Sequence, residues 1–458
     1  MKDRVVISIE QRKRGEDDIE IFFRIDEPDN VTDWSVSMQL HCDPTQDPFV
    51  KLADIAANDR NPIANDLVKE VGEKVFAGLT QHPGVREAFD RAVNMQQSGV
   101  PTAWPLYFNT RAIDAEGLPW ELLYHPQEQF LCLNVRWPMA RMVGGSYADI
   151  ERALELPIRF AVVLGATNLD ATPEWDAIYY AIAQSGVDYE VLALVSQPKL
   201  QTHIGGQADP DVTVESMPLD EIALVDRLEA FHPNFLHLFC HGSASFDDYL
   251  EVATRDVSNF GGDPIYLPKG ELLRLRGMLW LLTLDACEGA TPTGNLHSYT
   301  YSLVMKGMPA AIGMREPIEA NDASVFCGAF YEAALAYLHN ELQAGGISVK
   351  LSWEFALRSA RAALCAMFPG PAAITATRHK PWTLPVLYRK PGDFKLLVPP
   401  SSDDTAEVAR KLGELATYRT ARDGLPPTAP QQVRDQLNDL IRQAERDLQT
   451  LAGGEVAG

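Results

Sequence analysis

The chain has 458 residues, 46% of them hydrophobic and 22% charged, with 63 acidic against 40 basic residues, a formal net charge of -23 and a pI near 4.8. Such a length can bury one large core or two to three smaller ones. The acid excess excludes non-specific attraction to nucleic-acid phosphates or anionic lipid and favours a basic partner or substrate. No stretch approaches the ~20 apolar residues of a membrane span. The N-terminal MKDRVVISIEQRKRGEDD turns charged before any apolar run is long enough for a signal peptide, so a cytoplasmic location is expected.

In chain order, period-two alternation comes first: Val5, Ile7 and Ile9, then Ile19, Ile21, Phe23 and Ile25, then Trp34, Val36, Met38 and Leu40, with polar turn residues between. This predicts a small antiparallel sheet. Between Ile63 and Met95 the spacing becomes helical, with Leu67, Val71, Val75 and Leu79 on one stripe and Val85, Phe89 and Val93 on another. A strand at PLYFN and the segment LPWELLYHP follow. From Pro157 onward, apolar runs (IRFAVVLGA, YEVLALV, NFLHLFCHG, GMLWLLTLDAC, GMPAAIGM, LPVLYR) alternate with helices such as Leu219 to Phe231 and Asp322 to Leu342. Runs apolar on both sides belong to a parallel sheet covered on two faces, so the fold class is α/β.

After VPPSSDD two helical stretches appear. The first carries Val408, Leu412 and Leu415. The second carries Val433, Leu437, Leu440, Ile441, Ala444, Leu448 and Leu451, with Thr428 and Gln431 as a capping box. They predict a helical hairpin, either docked on the α/β core or serving as a partner-binding arm. The expected organisation is an N-terminal region 1–150 with a small sheet and helices, an α/β domain 151–398, and a C-terminal hairpin 399–458.

Two stretches carry chemistry. In a parallel α/β sheet, reacting groups gather at the carboxyl ends of strands, where loops vary over a rigid support. HLFCHG places His241 at such an end, followed by Gly242, whose missing side chain lets a carbonyl approach its backbone N–H. LDACEGA places Cys287 at another, among the small residues Ala286, Gly289 and Ala290. A thiol of pKa ~8.5 is mostly protonated at neutral pH and needs an imidazole of pKa ~6.5 as its proton partner. The backbone N–H groups of Gly242 and Cys287 would hold the developing oxyanion. Alternation turns Cys240 to the opposite sheet face. Cys42, Cys132, Cys327 and Cys365 are assigned to packing and His237 to a structural role. Six scattered cysteines without a C-x-x-C pair argue against a disulfide framework or zinc knuckle. No metal-ligand cluster is evident, and GGSYAD and NFGGDP lack the spacing of a phosphate loop, so no cofactor is expected.

In order, LPWELL (118 to 123), HLFCHG, LDACEGA, LVMKGMPAAIGMREPIEANDASVFCGAFYEAAL, SARAAL and PWTLPVLY resemble the CHAT family, caspase-like cysteine peptidases of bacteria, from Leu118 to Arg389. The resemblance implies a caspase-like α/β/α sandwich with His241 as general base and acid and Cys287 as nucleophile. It further implies peptide-bond hydrolysis through a thioester, with the N-terminal region a degenerate half or regulatory wrap. Many relatives carry Asn at the position of Asp285, whereas basic-specific metacaspases are similar to this chain in having Asp. That implies cleavage after Arg or Lys, unless Asp285 caps a turn or binds backbone N–H groups near the cysteine. Asp170 and Asp322 are weaker pocket candidates, Asp322 reading better as an N-cap. The polar stretch SASFDDYLEVATRDVSNFGGDP between the two motifs reads as a covering loop. Resemblance also implies a protein substrate, a separate activator or sensor protein, and a conflict or defence setting. Two other readings stay open: a non-catalytic caspase-fold scaffold that binds a partner, and a different thiol acyl transfer.

Overall fold

The computed structural model describes residues 5–14, 18–26, 31–32, 37–38, 46–56, 59–97, 103–110, 113–144, 148–242, 249–255, 263–286, 291, 297–344, 346–398, 405–423, 425 and 430–451. Among them the chain divides into two compact units. The first comprises Met1–Ala148, Pro157–Leu335 and Ser352–Gly392; the second comprises Asp149–Leu156, Ala336–Leu351 and Asp393–Gly458.

The first unit is built on eleven strands: β1 (Val5–Arg14), β2 (Asp18–Asp26), β3 (Leu106–Thr110), β4 (Met139–Met142), β5 (Ile158–Leu164), β6 (Tyr189–Val195), β7 (Val212–Ser216), β8 (Phe235–Phe239), β9 (Leu281–Asp285), β10 (Ala310–Met314) and β11 (Pro385–Arg389). With the short strands Val31–Thr32 and Ser37–Met38 beside β2, they form one 13-stranded sheet among the described residues, in the order β7-β6-β5-β8-β9-β10-β11-β4-β3-β1-β2. Pairing is parallel from β7 to β10, antiparallel between β10 and β11, parallel from β11 to β1, and antiparallel at β1–β2. Strands β8, β9, β10 and β11 are buried at every position, which is why their sequences read as unbroken apolar runs rather than alternating ones. The alternating N-terminal strands continue this same sheet instead of forming a separate one. Their attachment through β3 and β4 supplies β11 with a partner, so it leaves no open hydrogen-bonding edge there.

Helices cover both faces. Leu236, Leu238 and Cys240 of the β8 segment and Leu282, Leu284 and Ala286 of the β9 segment share a core with Leu224, Val225 and Leu228 of the helix Glu221–Phe231. Cys240 therefore faces away from its neighbour His241, as pleat alternation requires. On the other face, His237, Thr283 and Asp285 meet the helices Thr172–Ala183 and Ala320–Gln343. The stripes of the N-terminal helices form apart from Leu67, which is half-buried while its neighbour Val68 is buried: Val71, Val75 and Leu79 are buried in Leu67–Thr80, and Val85, Phe89 and Val93 in Pro83–Gln97.

In the second unit, Phe394–Leu397 pairs antiparallel with Ser348–Leu351 and parallel with Ile150–Ala153. The helices Thr405–Asp423 and Gln431–Leu451 form the expected hairpin around Leu415, Ile441, Ala444 and Leu448, with Lys411 Nζ 2.6 Å from Asp447. Leu440 is 44% exposed, off the buried stripe, and Thr428 of the expected capping box lies outside the described residues.

Candidate active site

Chain order sets the location. From β5 the chain lays β6 and β7 on one side, then returns to place β8, β9 and β10 on the other, so the sheet reverses its winding between β5 and β8. Loops diverge at such a switch and leave a crevice beyond the strand ends. His241 stands there. β8 ends at Phe239, and His241–Gly242 opens a three-stranded antiparallel sheet with Tyr249–Val252 and Ile265–Pro268, His241 opposite Glu251 and Gly242 opposite Leu250. The stretch read as a covering loop thus contains a strand, marked by buried Leu250 and Val252 alternating with half-buried Tyr249 and Glu251. Residues 243–248 and 256–262 of it lie outside the described residues.

Gly165, at the end of β5, is what lets this hairpin approach. A Cβ there would stand 2.5 Å from Val252 Cγ1 and 3.2 Å from the backbone of Ala253. The Ala253 N–H donates to the Gly165 carbonyl at 2.6 Å, and the Gly165 N–H donates to that of Phe239 at 2.8 Å. Two residues further on, the Thr167 carbonyl lies 2.9 Å from His241 Nε2. A carbonyl only accepts, so Nε2 carries the proton and Nδ1 of the neutral ring keeps its lone pair for another group. Sequence reasoning missed this contact, because a backbone carbonyl has no residue type to announce it.

Cys287 lies outside the described residues. The strand leading to it is the parallel neighbour of the histidine strand, with Phe239 opposite Asp285 and the Cys240 N–H donating to the Asp285 carbonyl at 3.3 Å. Each candidate follows its member of that pair by two residues. Beyond the motif, His297 Nδ1 is 2.5 Å from the buried Glu116 carboxylate, and the Ser298 N–H donates to Glu116 Oε1 at 3.2 Å.

Asp285 does not stand alone. It is 2% exposed, and its Oδ2 lies 3.8 Å from Cys327 Sγ. Cys327 Sγ is 4.0 Å from His237 Nδ1, whose Nε2 is 3.2 Å from Glu174 Oε1. Tyr331 closes the group by donating its hydroxyl to Thr283 at 3.1 Å. Burial first, then the Glu174 charge, pushes the Asp285 carboxyl well above its usual range. Burial also pushes the Cys327 thiol up, with Glu174 and Asp285 adding to it, so the thiol stays protonated. Cys327 is accordingly part of a polar cluster rather than simple packing, and His237 belongs to the same cluster. Glu174 escaped the sequence reading; its only signal was a carboxylate in the first turn of the helix that follows β5.

Asp170 is exposed and accepts the Thr172 N–H at 3.0 Å, which holds its carboxyl below the usual range. Asp322 lies inside the first turn of Ala320–Gln343 rather than at its cap, 2.9 Å from Arg60. Burial pushes its carboxyl up.

A mostly parallel sheet between two helical layers, with a histidine at its switch point and a cysteine motif one strand over, is a caspase-like sandwich. The CHAT domain family model matches residues 69–365, and the chain belongs to that family. Chains from two Saccharomyces cerevisiae separase–securin complexes are similar at 14% and 13% identity, each with a TM-score of 0.35. They cover 64% and 78% of this chain, which spans only 16% and 20% of theirs. No curated protein matches. Among the described residues no helix is long and apolar enough to cross a membrane.

Proposed function

We propose that the chain is a cysteine endopeptidase acting through His241 and Cys287. The observation that carries this reading is the imidazole at the sheet's switch point, its Nε2 held by the Thr167 carbonyl and its Nδ1 meeting no partner among the described residues, beside the strand that leads to the cysteine. His241 Nδ1 takes the thiol proton, and the thiolate attacks the scissile carbonyl while the N–H groups of Gly242 and Cys287 receive the oxyanion. Collapse breaks the C–N bond, and His241 returns the proton to the leaving amine. Water, deprotonated by His241, then hydrolyses the thioester.

Basic P1 residues fit best. Asp285 and Glu174 form a buried acidic pair that no Lys or Arg meets among the described residues, and a P1 guanidinium or ammonium would favour loss of the Asp285 proton and supply the missing partner. Exposed Asp170, after β5, is a second acidic group for such a pocket. In this reading residues 151–398 are the peptidase, 1–150 its degenerate or regulatory half, and 399–458 a hairpin for a separate activator. The protein would work in the bacterial cytoplasm, in a defence or signalling pathway.

Arg-ending and Asp-ending fluorogenic peptides test the proposal, with Cys287→Ala and His241→Ala beside the parent. Cleavage of the Arg peptide alone is expected, falling by about 10²–10⁴ without His241 and to background without Cys287. Equal turnover by parent and Cys287→Ala refutes it; a folded parent that cuts nothing but binds a partner would favour the scaffold reading.

A further inference from the structure

The cluster beneath the active-site strands contains more than a charge pocket needs. Glu174, His237 and Cys327 come from a helix, a strand and a second helix, distant in sequence, and all three are fully buried. Each offers one donor, and the three donors lie within 4.8 Å of one another. Among the described residues, both carboxylate oxygens of Glu174 and Nε2 of His237 lack a well-aligned hydrogen bond, although Nε2 and Oε1 are 3.2 Å apart and the Glu174 carboxylate neighbours Asp285 and Cys327. Buried polar atoms are nearly always satisfied, so three orphans pointing into one cluster call for a ligand.

We propose that Glu174, His237 and Cys327 form a divalent-metal site of the zinc class, with Asp285 as its fourth corner. Zinc bonds of about 2.0–2.3 Å place the donors of a tetrahedral site roughly 3.3–3.8 Å apart. The Glu174–His237 separation of 3.2 Å and the Cys327–Asp285 separation of 3.8 Å are already near such edges. Asp285 stands outside the group of three mutually close donors and would have to turn toward the ion to complete the shell. One nitrogen, one sulfur and carboxylate oxygens suit Zn2+ and the related Co2+, not Mg2+ or Ca2+, which prefer all-oxygen shells. Binding would pin β8, β9 and both helices of this face to one ion directly beneath Asp285. It would also occupy the carboxylates that a basic P1 residue uses, so the ion and such a substrate would compete. Coordination itself does not depend on the peptidase reading.

The test uses the full chain carrying Cys287→Ala, which removes the rival thiol of the motif, stripped with a chelator and titrated with Co2+. One equivalent should bind and produce a thiolate-to-cobalt charge-transfer band with the ligand-field bands of a tetrahedral ion; Zn2+ should abolish both. Adding Cys327→Ser should remove the charge-transfer band. Glu174→Gln should keep that band while weakening affinity by more than about tenfold. No band in the parent, or a band that survives Cys327→Ser, overturns the proposal. Should Cys327→Ser fail to fold, unchanged affinity in Glu174→Gln overturns it instead.

Discussion

Replacing Glu121 with Leu should destabilise the first unit more than any surface change, because it strands the buried Arg141 and the half-buried Arg315. Glu121 lies in the short helix Trp120–Leu122 of the LPWELL motif, with its side chain 3% exposed, and receives Arg141 in a two-point pair: Nε to Oε1 at 3.0 Å and NH2 to Oε2 at 2.7 Å. Arg315 NH1 stands 3.6 Å from the same Oε2. Burial alone pushes the Glu121 carboxyl up, but the charge and hydrogen bonds of Arg141, with help from Arg315 and Arg361, overcome it and hold the group below its usual range. Removing one partner of a buried pair costs about 3–5 kcal/mol. Arg141 keeps the Leu118 carbonyl at 3.0 Å and the Glu116 carbonyl as acceptors, so the lower end, about 3 kcal/mol, is expected. Urea unfolding at pH 7 of Glu121→Leu, Arg141→Met and the double variant measures it. The double should be less destabilised than the sum of the singles by about 2 kcal/mol. The gap between parent and Glu121→Leu should be full above the ordinary glutamate pKa of ~4.3 and shrink as pH falls through the depressed folded value. A single variant within about 0.5 kcal/mol of the parent, or strictly additive singles, would show that this pair is not what holds LPWELL to β4.

Asp285→Asn should stabilise metal-free protein at neutral pH: the native carboxyl keeps its proton to higher pH than the unfolded one, so the parent loses stability as pH rises above ~3.9. Thermal melts of both proteins should therefore diverge from about pH 4 upward, and parallel curves would contradict the raised carboxyl. Gly165→Ala puts a Cβ 2.5 Å from Val252 and should displace the hairpin that carries His241, lowering kcat more than it raises KM in the Arg-peptide assay; unaltered kcat would count against that hairpin as the support of the imidazole. Gly72→Ala gains about 1 kcal/mol of helix propensity but sets a Cβ 2.1 Å from the Leu122 carbonyl, an overlap costing about 1–3 kcal/mol, so net destabilisation is expected in urea titration and a more stable variant would contradict it.

Strands β5, β6 and β8 to β11 were legible because two-sided burial writes itself as apolar runs, and the helical stripes because a single buried face repeats every three to four residues. The edge strand β7 went unread: its residues are half-buried or exposed and carry no run. The strand at Leu250 was hidden by the polar residues around it, although Leu250 and Val252 are both buried.

Local pattern alone determined the α/β class, the helical hairpin, and the two strand-end motifs with His241 and Cys287, since each follows from side-chain periodicity within a few neighbouring residues. The tertiary structure decided what periodicity cannot encode. It joined the N-terminal strands to the main sheet by hydrogen bonds between distant segments, set the Thr167 carbonyl against the imidazole, and gathered Glu174, His237, Asp285 and Cys327 into one buried cluster. Those contacts depend on which surfaces meet when the layers close, and such meetings link residues far apart in the chain.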